Sequence, residues 1–328
     1  MVLSYSFRLF CVALLGIGCV QVVAELALWL ASPSLLKKLN ESGARRQEQV
    51  LFWAQLMTHL LALAMTLLFL VPRYVEAETN LDSERIGWLS AAAAALVLCR
   101  YLRTLQRGIG MWARTIWILR FQKIAEPVEG ACGANPLLMS IAQPCPPLAL
   151  VGLVRPRILI ANSMLDRSKL SAEALAIALD HEKAHLRHRD NWKLFVLACL
   201  PSLGLHTKMR PACLQLWRRH SDWAADDDAV RGDYPRALML AESLVACAKL
   251  IPAKEPRYLF TGLATHEDEL KARIERLIRS NDSQQPKAGN RFPILLGFAG
   301  VFLAIACFLL AIAAPWLRGA AESILHLG

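Results

Sequence analysis

The sequence has no C-x-x-C pair, and its nine cysteines are scattered singly from Cys11 to Cys307. An odd, dispersed set argues against a complete disulfide framework and fits a reduced compartment or simple packing. Also missing is any basic stretch with interleaved aromatics. The formal net charge is +10, but the lysines and arginines flank apolar segments, which speaks for membrane orientation and against direct nucleic-acid binding. Charged residues are scarce, at 20% against 55% hydrophobic, a balance too apolar for an ordinary soluble protein.

Four apolar segments account for that excess. Residues 9–31, 50–71 and 293–314 are each long enough to cross a hydrocarbon core of about 30 Å at about 1.5 Å per residue. Residues 86–102 form a further candidate, in which Arg100 can snorkel to the headgroups. Segment 9–31 is longer than a signal-peptide h-region and carries Gln21 and Glu25, so it reads as a span and not as a cleaved leader. Lys37, Lys38, Arg45 and Arg46 follow the first span, whereas Glu76, Glu78, Asp82 and Glu84 dominate the link after the second. Arg100, Arg103, Arg107, Arg114, Arg120 and Lys123 follow the third. The positive-inside rule then puts the N-terminus and the tail 315–328 outside and the segment 103–292 in the cytoplasm.

The expected fold is therefore an integral membrane protein, mainly α, with four transmembrane helices. Residues 1–102 form an N-terminal membrane region, 103–292 a cytoplasmic domain, 293–314 the fourth span and 315–328 a short extracytoplasmic tail. Residues 104–121 read either as a helix on the inner membrane surface or as a cytoplasmic extension of the third span. Glu25 and His59 are ionisable groups inside spans at similar depths, and the cost of an unpaired charge in lipid suggests that they pair across two helices.

Within the cytoplasmic segment, two apolar runs around Arg155-Pro156 predict a small hairpin or a pair of short strands. Ser171, followed by Ala172, Glu173 and a helix-forming run through Leu186, marks a helix start. That helix carries His181-Glu182-Lys183-Ala184-His185, an H-E-x-x-H pattern. At this spacing both imidazoles lie on one face, one turn apart, and can reach a single Zn2+ ion. Glu182 sits beside them as general base for the attacking water.

Such sites need a third protein ligand, often a carboxylate. Asp222 is the candidate, and Asp226, one helical turn later, can accept a hydrogen bond from a liganding histidine and fix its tautomer. His188 is expected on the surface. His220 and Tyr234 are both candidates to stabilise an oxyanion, and nothing selects between them.

Taken together, Gly152 to Ile160, Leu170-Ser171-Ala172-Glu173, the His181-Glu182-x-x-His185 motif with Arg187, Arg189 and Asp190, and Asp222-x-x-Ala225-Asp226-x-x-Ala229 resemble the membrane metallopeptidases of the BlaR/MecR antirepressor type. Looser similarity continues through residues 234–240 and 270–277. The resemblance implies an α+β gluzincin-like zinc metallopeptidase domain with His181, His185 and Asp222 as metal ligands, Glu182 as base and Asp226 behind a ligand. It also implies an inner-membrane location and a cytoplasmic protein substrate, by analogy a transcriptional repressor. The family has glutamate where this chain has Asp222, so a small helix shift or an intervening water must make up the shorter reach. Receptors of this type also carry a penicillin-binding sensor domain after the last span, for which residues 315–328 leave no room. A stimulus is then expected to act on the spans, the outer loop 72–85 or a partner. The resemblance further favours substrate binding as an added strand along residues 157–160 or their neighbour. Regulatory proteolysis is the leading expectation; membrane-protein quality control and a non-enzymatic receptor with a degenerate site are the alternatives.

Overall fold

The computed structural model describes residues 5–39, 42–77, 87–121, 124–127, 138–141, 147–166, 170–202, 209–250, 260–262 and 267–279. The expected fourth span 293–314 and the tail 315–328 lie outside the described residues.

Among the described residues, three helices are long and apolar enough to cross a membrane. α1 (Tyr5–Leu39) has 35 residues and α4 (Trp88–Phe121) has 34. At 1.5 Å per residue each extends about 50 Å, well beyond a hydrocarbon core. α2 (Ala44–Met65) passes through a π-helical turn, Thr66–Leu70, into α3 (Val71–Ala77), and these together make the second crossing candidate. Gly16 of α1 meets that turn so closely that a Cβ would lie 2.2 Å from Leu70 Cδ2, the close approach that small residues permit between membrane helices. Val23, Leu30, Leu68, Trp88 and Leu96 are exposed on these helices, as expected of surfaces that a lipid phase covers. α4 runs unbroken through residues 104–121, so that stretch extends the third apolar helix and is not a separate surface helix.

The pairing expected of Glu25 with His59 is replaced by a network centred on Gln21, which is fully buried. Gln21 Nε2 lies 2.8 Å from Glu25 Oε1, 3.1 Å from His59 Nε2 and 2.9 Å from the Pro201 carbonyl. Its Oε1 accepts from Tyr101 Oη at 2.7 Å. His59 Nε2 is 2.7 Å from the Pro201 oxygen and Ser202 Oγ donates to Glu25 Oε2 at 3.2 Å. An amide supplies both donor and acceptor, so Gln21 can bridge α1, α2, α4 and the chain around Pro201, which a carboxylate–imidazole pair alone could not do.

The remaining elements form a small sheet with helices packed on it. Strands β1 (Ile124–Pro127), β2 (Leu138–Ile141), β3 (Leu148–Val151), β4 (Arg157–Ala161) and β5 (Phe260–Gly262) lie in the order β1-β2-β4-β3-β5. β2 and β4 are parallel and every other pair is antiparallel. The expected hairpin is present as β3 and β4, in register from Leu148 opposite Ile160 to Val151 opposite Arg157. β4, expected to offer a free edge, is instead flanked by β2 and β3, so its backbone groups are already used in the ladder. β3 is flanked by β4 and β5.

Helices α5 (Ala172–His188), α6 (Asp190–Cys199), α7 (Met209–Val230), α8 (Tyr234–Leu250) and α9 (Glu267–Arg279) are the other elements among the described residues. Leu148, Leu150, Ile158 and Ile160 of the sheet pack with Ala174, Ile177 and Ala178 of α5 and with Leu240 and Leu244 of α8. The alternate positions of strands and the i, i+3, i+4 positions of α5 and α8 supply this core, as their periodicities require. A second core joins Leu51 and Phe52 of α2 to Leu194 and Leu197 of α6 and Trp217 of α7. Gly108 of α4 also sits against α6, where a Cβ would lie 2.2 Å from Cys199 Sγ.

Candidate metal centre

Ser171 caps α5 by accepting from the Ala174 amide at 3.1 Å, and Glu173 lies in the first turn, where a negative charge suits the helix dipole. About three to four helical turns later His181, Glu182 and His185 are all fully buried. The helix ends at Arg189, whose φ of 56° is left-handed. That costs a side-chain-bearing residue about 1–2 kcal/mol, and the sharp bend starts α6 at once and turns Asp190 back toward His185.

Each histidine is held by a carboxylate on the ring nitrogen away from its neighbour. His185 Nδ1 donates to Asp190 Oδ2 at 2.8 Å, and Asp190 Oδ2 also accepts from Ser221 Oγ at 2.8 Å. His181 Nδ1 lies 2.9 Å from Asp226 Oδ1, an ion-pair distance without the alignment of a hydrogen bond. The two Nε2 atoms therefore converge, 3.1 Å apart, with the rings nearly perpendicular at 88°. Asp222 Oδ1 is 3.5 Å from His185 Nε2. One donor atom from each of His181, His185 and Asp222 falls within 4.8 Å of the others. Bonds of about 2 Å at tetrahedral angles place ligand atoms roughly 3.3 Å apart, so this buried His-His-Asp group can hold a metal ion. Both Nε2 atoms and an acidic oxygen facing one point, with Nδ1 of each ring occupied by a carboxylate, is the donor arrangement that such an ion requires.

Glu182 projects beside the group. Its Oε2 accepts from the Leu150 amide of β3 at 2.8 Å, while Oε1 is buried with no hydrogen-bond partner among the described residues. Asn191 Nδ2 donates to the carbonyls of Leu150 and Gly152 at 3.1 and 3.0 Å, fixing the end of β3 against α6. Beside His185 and Asp190 opens a cavity of about 210 Å3 walled by Leu150, Leu153, Pro156 and Trp192.

Burial sets the protonation states of the protein alone. It raises Glu182 to about 7 against the opposing charge of His185, and raises Asp222 to about 6 against Arg273 and His185. Burial lowers His181 to about 4, only partly offset by Asp226. His185 is pulled the other way: burial would lower it, but Asp190, Glu182 and Asp222 together raise it to about 9. Asp190 and Asp226, despite burial, stay well below the usual carboxylate range, the first through His185 and Lys193 and the second through Arg273 and His181.

The motif residues His181, Glu182 and His185, with Asp222 and Asp226, thus meet at one place. Three partners escaped the sequence reading. Arg273 of α9, 1% exposed, grips Asp226 with Nη2 to Oδ1 at 2.6 Å and Nε to Oδ2 at 3.0 Å, and its Nη1 is 3.9 Å from Asp222 Oδ2. Ser221 and Asn191 were also missed. His188, expected on the surface, is buried with Nε2 3.1 Å from Asp228 Oδ2. His220 is buried edge-on to the Trp223 ring at 5.1 Å, and Tyr234 opens α8 half-buried. No model of a known protein family matches the chain, and no curated protein matches it in sequence.

Proposed function

We propose that the chain is a membrane-bound zinc metalloendopeptidase that hydrolyses a cytoplasmic protein. The observation that carries this reading is the convergence of the His181 and His185 Nε2 atoms and an Asp222 oxygen beside Glu182, whose Oε1 has no hydrogen-bond partner among the described residues. His181, His185 and Asp222 would hold the zinc, which when bound supplies Lewis acidity that polarises a peptide carbonyl and acidifies water. Glu182, tethered through Oε2 to Leu150, takes the proton of the attacking water at Oε1 and returns it to the leaving amine. The cavity next to His185, lined by Leu150, Leu153 and Pro156 together with Arg189 and Asn191, would seat a substrate side chain.

The orientation read from loop charge puts this centre on the cytoplasmic side of the inner membrane, and the fourth span and the repressor-like substrate belong to the same proposal. Loss of one repressor's cleavage on deletion fits the regulatory role, whereas broad accumulation of misfolded membrane proteins indicates quality control. Asp222 in place of glutamate is the feature that would favour a non-enzymatic receptor, but its oxygen still faces the histidines.

The experiment is metal analysis of detergent-purified protein by elemental mass spectrometry. The parent is expected to retain about one zinc per chain, and His181→Ala, His185→Ala and Asp222→Ala to lose it, since each deletes a ligand. Zinc retained in all three would exclude this centre.

A further inference from the structure

The second core described above contains one charged group with unusual connections. Glu48 belongs to the first turns of α2, the second membrane-crossing candidate, and its side chain is completely buried. Its Oε1 accepts from Lys193 Nζ of α6 at 2.9 Å and from Trp217 Nε1 of α7 at 3.0 Å, and its Oε2 accepts from Arg45 Nη1 at 2.9 Å. Lys193 Nζ reaches onward to Asp190 Oδ1 at 3.1 Å. The other oxygen of Asp190 is the one that holds His185 Nδ1 and Ser221 Oγ. A continuous run of charged hydrogen bonds therefore leads from a membrane helix to a metal-binding imidazole in three steps: Glu48, Lys193, Asp190, His185.

Two features separate this run from an ordinary buried ion pair. First, Glu48 bonds to two of the helices that shape the centre, since α6 begins with Asp190 and α7 carries Trp217, Ser221 and Asp222. Second, Leu51 and Phe52, on the next turn of α2, pack on Leu194, Leu197 and Trp217, so α2 cannot shift without disturbing the same contacts. Charge-assisted hydrogen bonds in a buried setting are directional and costly to leave unmade. Groups that orient a liganding histidine commonly change metal affinity by 10–100-fold when removed.

We infer that Glu48 is a positioning residue through which α2 sets the orientation of His185, by way of Lys193 and Asp190, and so couples the membrane helices to the metal centre. The inference rests on the reading of His181, His185 and Asp222 as a metal site. It does not require that the site be proteolytic. A displacement of α2 relative to α6, from whatever stimulus the spans receive, weakens the hold of Lys193 on Asp190 and lets the His185 ring turn.

The test uses the full chain in detergent, stripped with a chelator and titrated with Co2+, whose visible absorption reports ligand geometry. Parent, Glu48→Gln, Lys193→Met and the double variant are compared, with thermal melting followed in parallel. The expected result is a Co2+ affinity about tenfold weaker in each single variant with a changed absorption band, no further loss in the double variant, and recovery in Lys193→Arg. Unchanged affinity and spectrum in the single variants, even with a lowered melting temperature, would reduce Glu48 to a packing role. Losses that multiply in the double variant would equally overturn the shared route. Should Glu48→Gln fail to fold, Lys193→Met decides alone, because Lys193 is partly exposed and its removal leaves Glu48 bonded to Trp217 and Arg45. A parent that binds no Co2+ overturns the metal site and this inference together, whereas a parent that binds it with variants that match sinks the coupling alone.

Discussion

Glu182→Gln is expected to retain its zinc and to lose roughly 10²–10⁴-fold in kcat, the range a positioned general base contributes. Glutamine keeps the shape of the side chain and can still accept from the Leu150 amide that Glu182 Oε2 binds at 2.8 Å. It leaves His181, His185 and Asp222 untouched, so binding of the ion and binding of substrate should survive. What it removes is the ability to hold a proton at Oε1, the buried oxygen without a hydrogen-bond partner among the described residues. The loss should therefore appear in kcat with little change in KM, the pattern of an interaction made in the transition state alone. Cleavage of an unstructured reporter protein by parent and variant, with zinc content measured on the same samples, checks it. A variant that cleaves at the parent rate would show that Glu182 is not the base.

The second large effect is on stability. Arg273→Met should destabilise the fold by about 3–5 kcal/mol, because it strands a buried carboxylate that has lost its counter-ion. Asp226 is fully buried and receives two hydrogen bonds from the Arg273 fork. Methionine fills most of the volume, so the cost is one of charge and not of a cavity. Without Arg273 nothing among the described residues holds Asp226 in place against His181 Nδ1, so the orientation of that ring is lost and zinc affinity should fall with stability. Replacing both partners, as Asp226→Asn with Arg273→Met, should restore part of the stability, because no uncompensated charge is left inside. Denaturant or thermal unfolding of the parent and the two variants tests this. A single-variant loss under about 1 kcal/mol, the range typical of an exposed ion pair, would contradict it.

These two residues also show how far the sequence could be read. The Glu182 position is legible because an α-helix repeats every 3.6 residues, so an H-E-x-x-H run places its donors on one face wherever the helix packs. Asp222 and Asp226 are legible for the same local reason, each lying one turn from the other. Arg273 is not: 47 positions separate it from Asp226, α8 intervenes, and α9 reads locally as an amphipathic charged helix. Asp190 entered only as part of a resemblance, because the turn that folds it back on His185 is made by Arg189. Left-handed helix ends are ordinarily signalled by glycine or asparagine, and here arginine fills that place.

The membrane region divides the same way. Three of the four expected spans correspond to long apolar helices, and the fourth, 293–314, lies outside the described residues; length and hydropathy reveal such helices because they are averages over a segment. The partners of their polar residues were not legible, because Gln21 reaches the Pro201 carbonyl just past α6 and Glu48 reaches Lys193 of α6 and Trp217 of α7, all more than a hundred positions away. Glu25 and His59 were matched on depth, and depth does not reveal that an amide lies between them.

The measurement that bears most directly on the account is a zinc titration of chelator-stripped protein, with proteolysis and thermal stability followed on the same sample. Activity is expected to be absent before addition, to return in proportion to zinc and to level off at about one equivalent per chain. The melting temperature should rise with it, by an amount corresponding to about 2.7 kcal/mol when free zinc is 100-fold above its Kd. Proteolysis that survives chelation, or zinc that raises neither stability nor activity, would contradict the assignment of His181, His185 and Asp222 as the centre of a metallopeptidase.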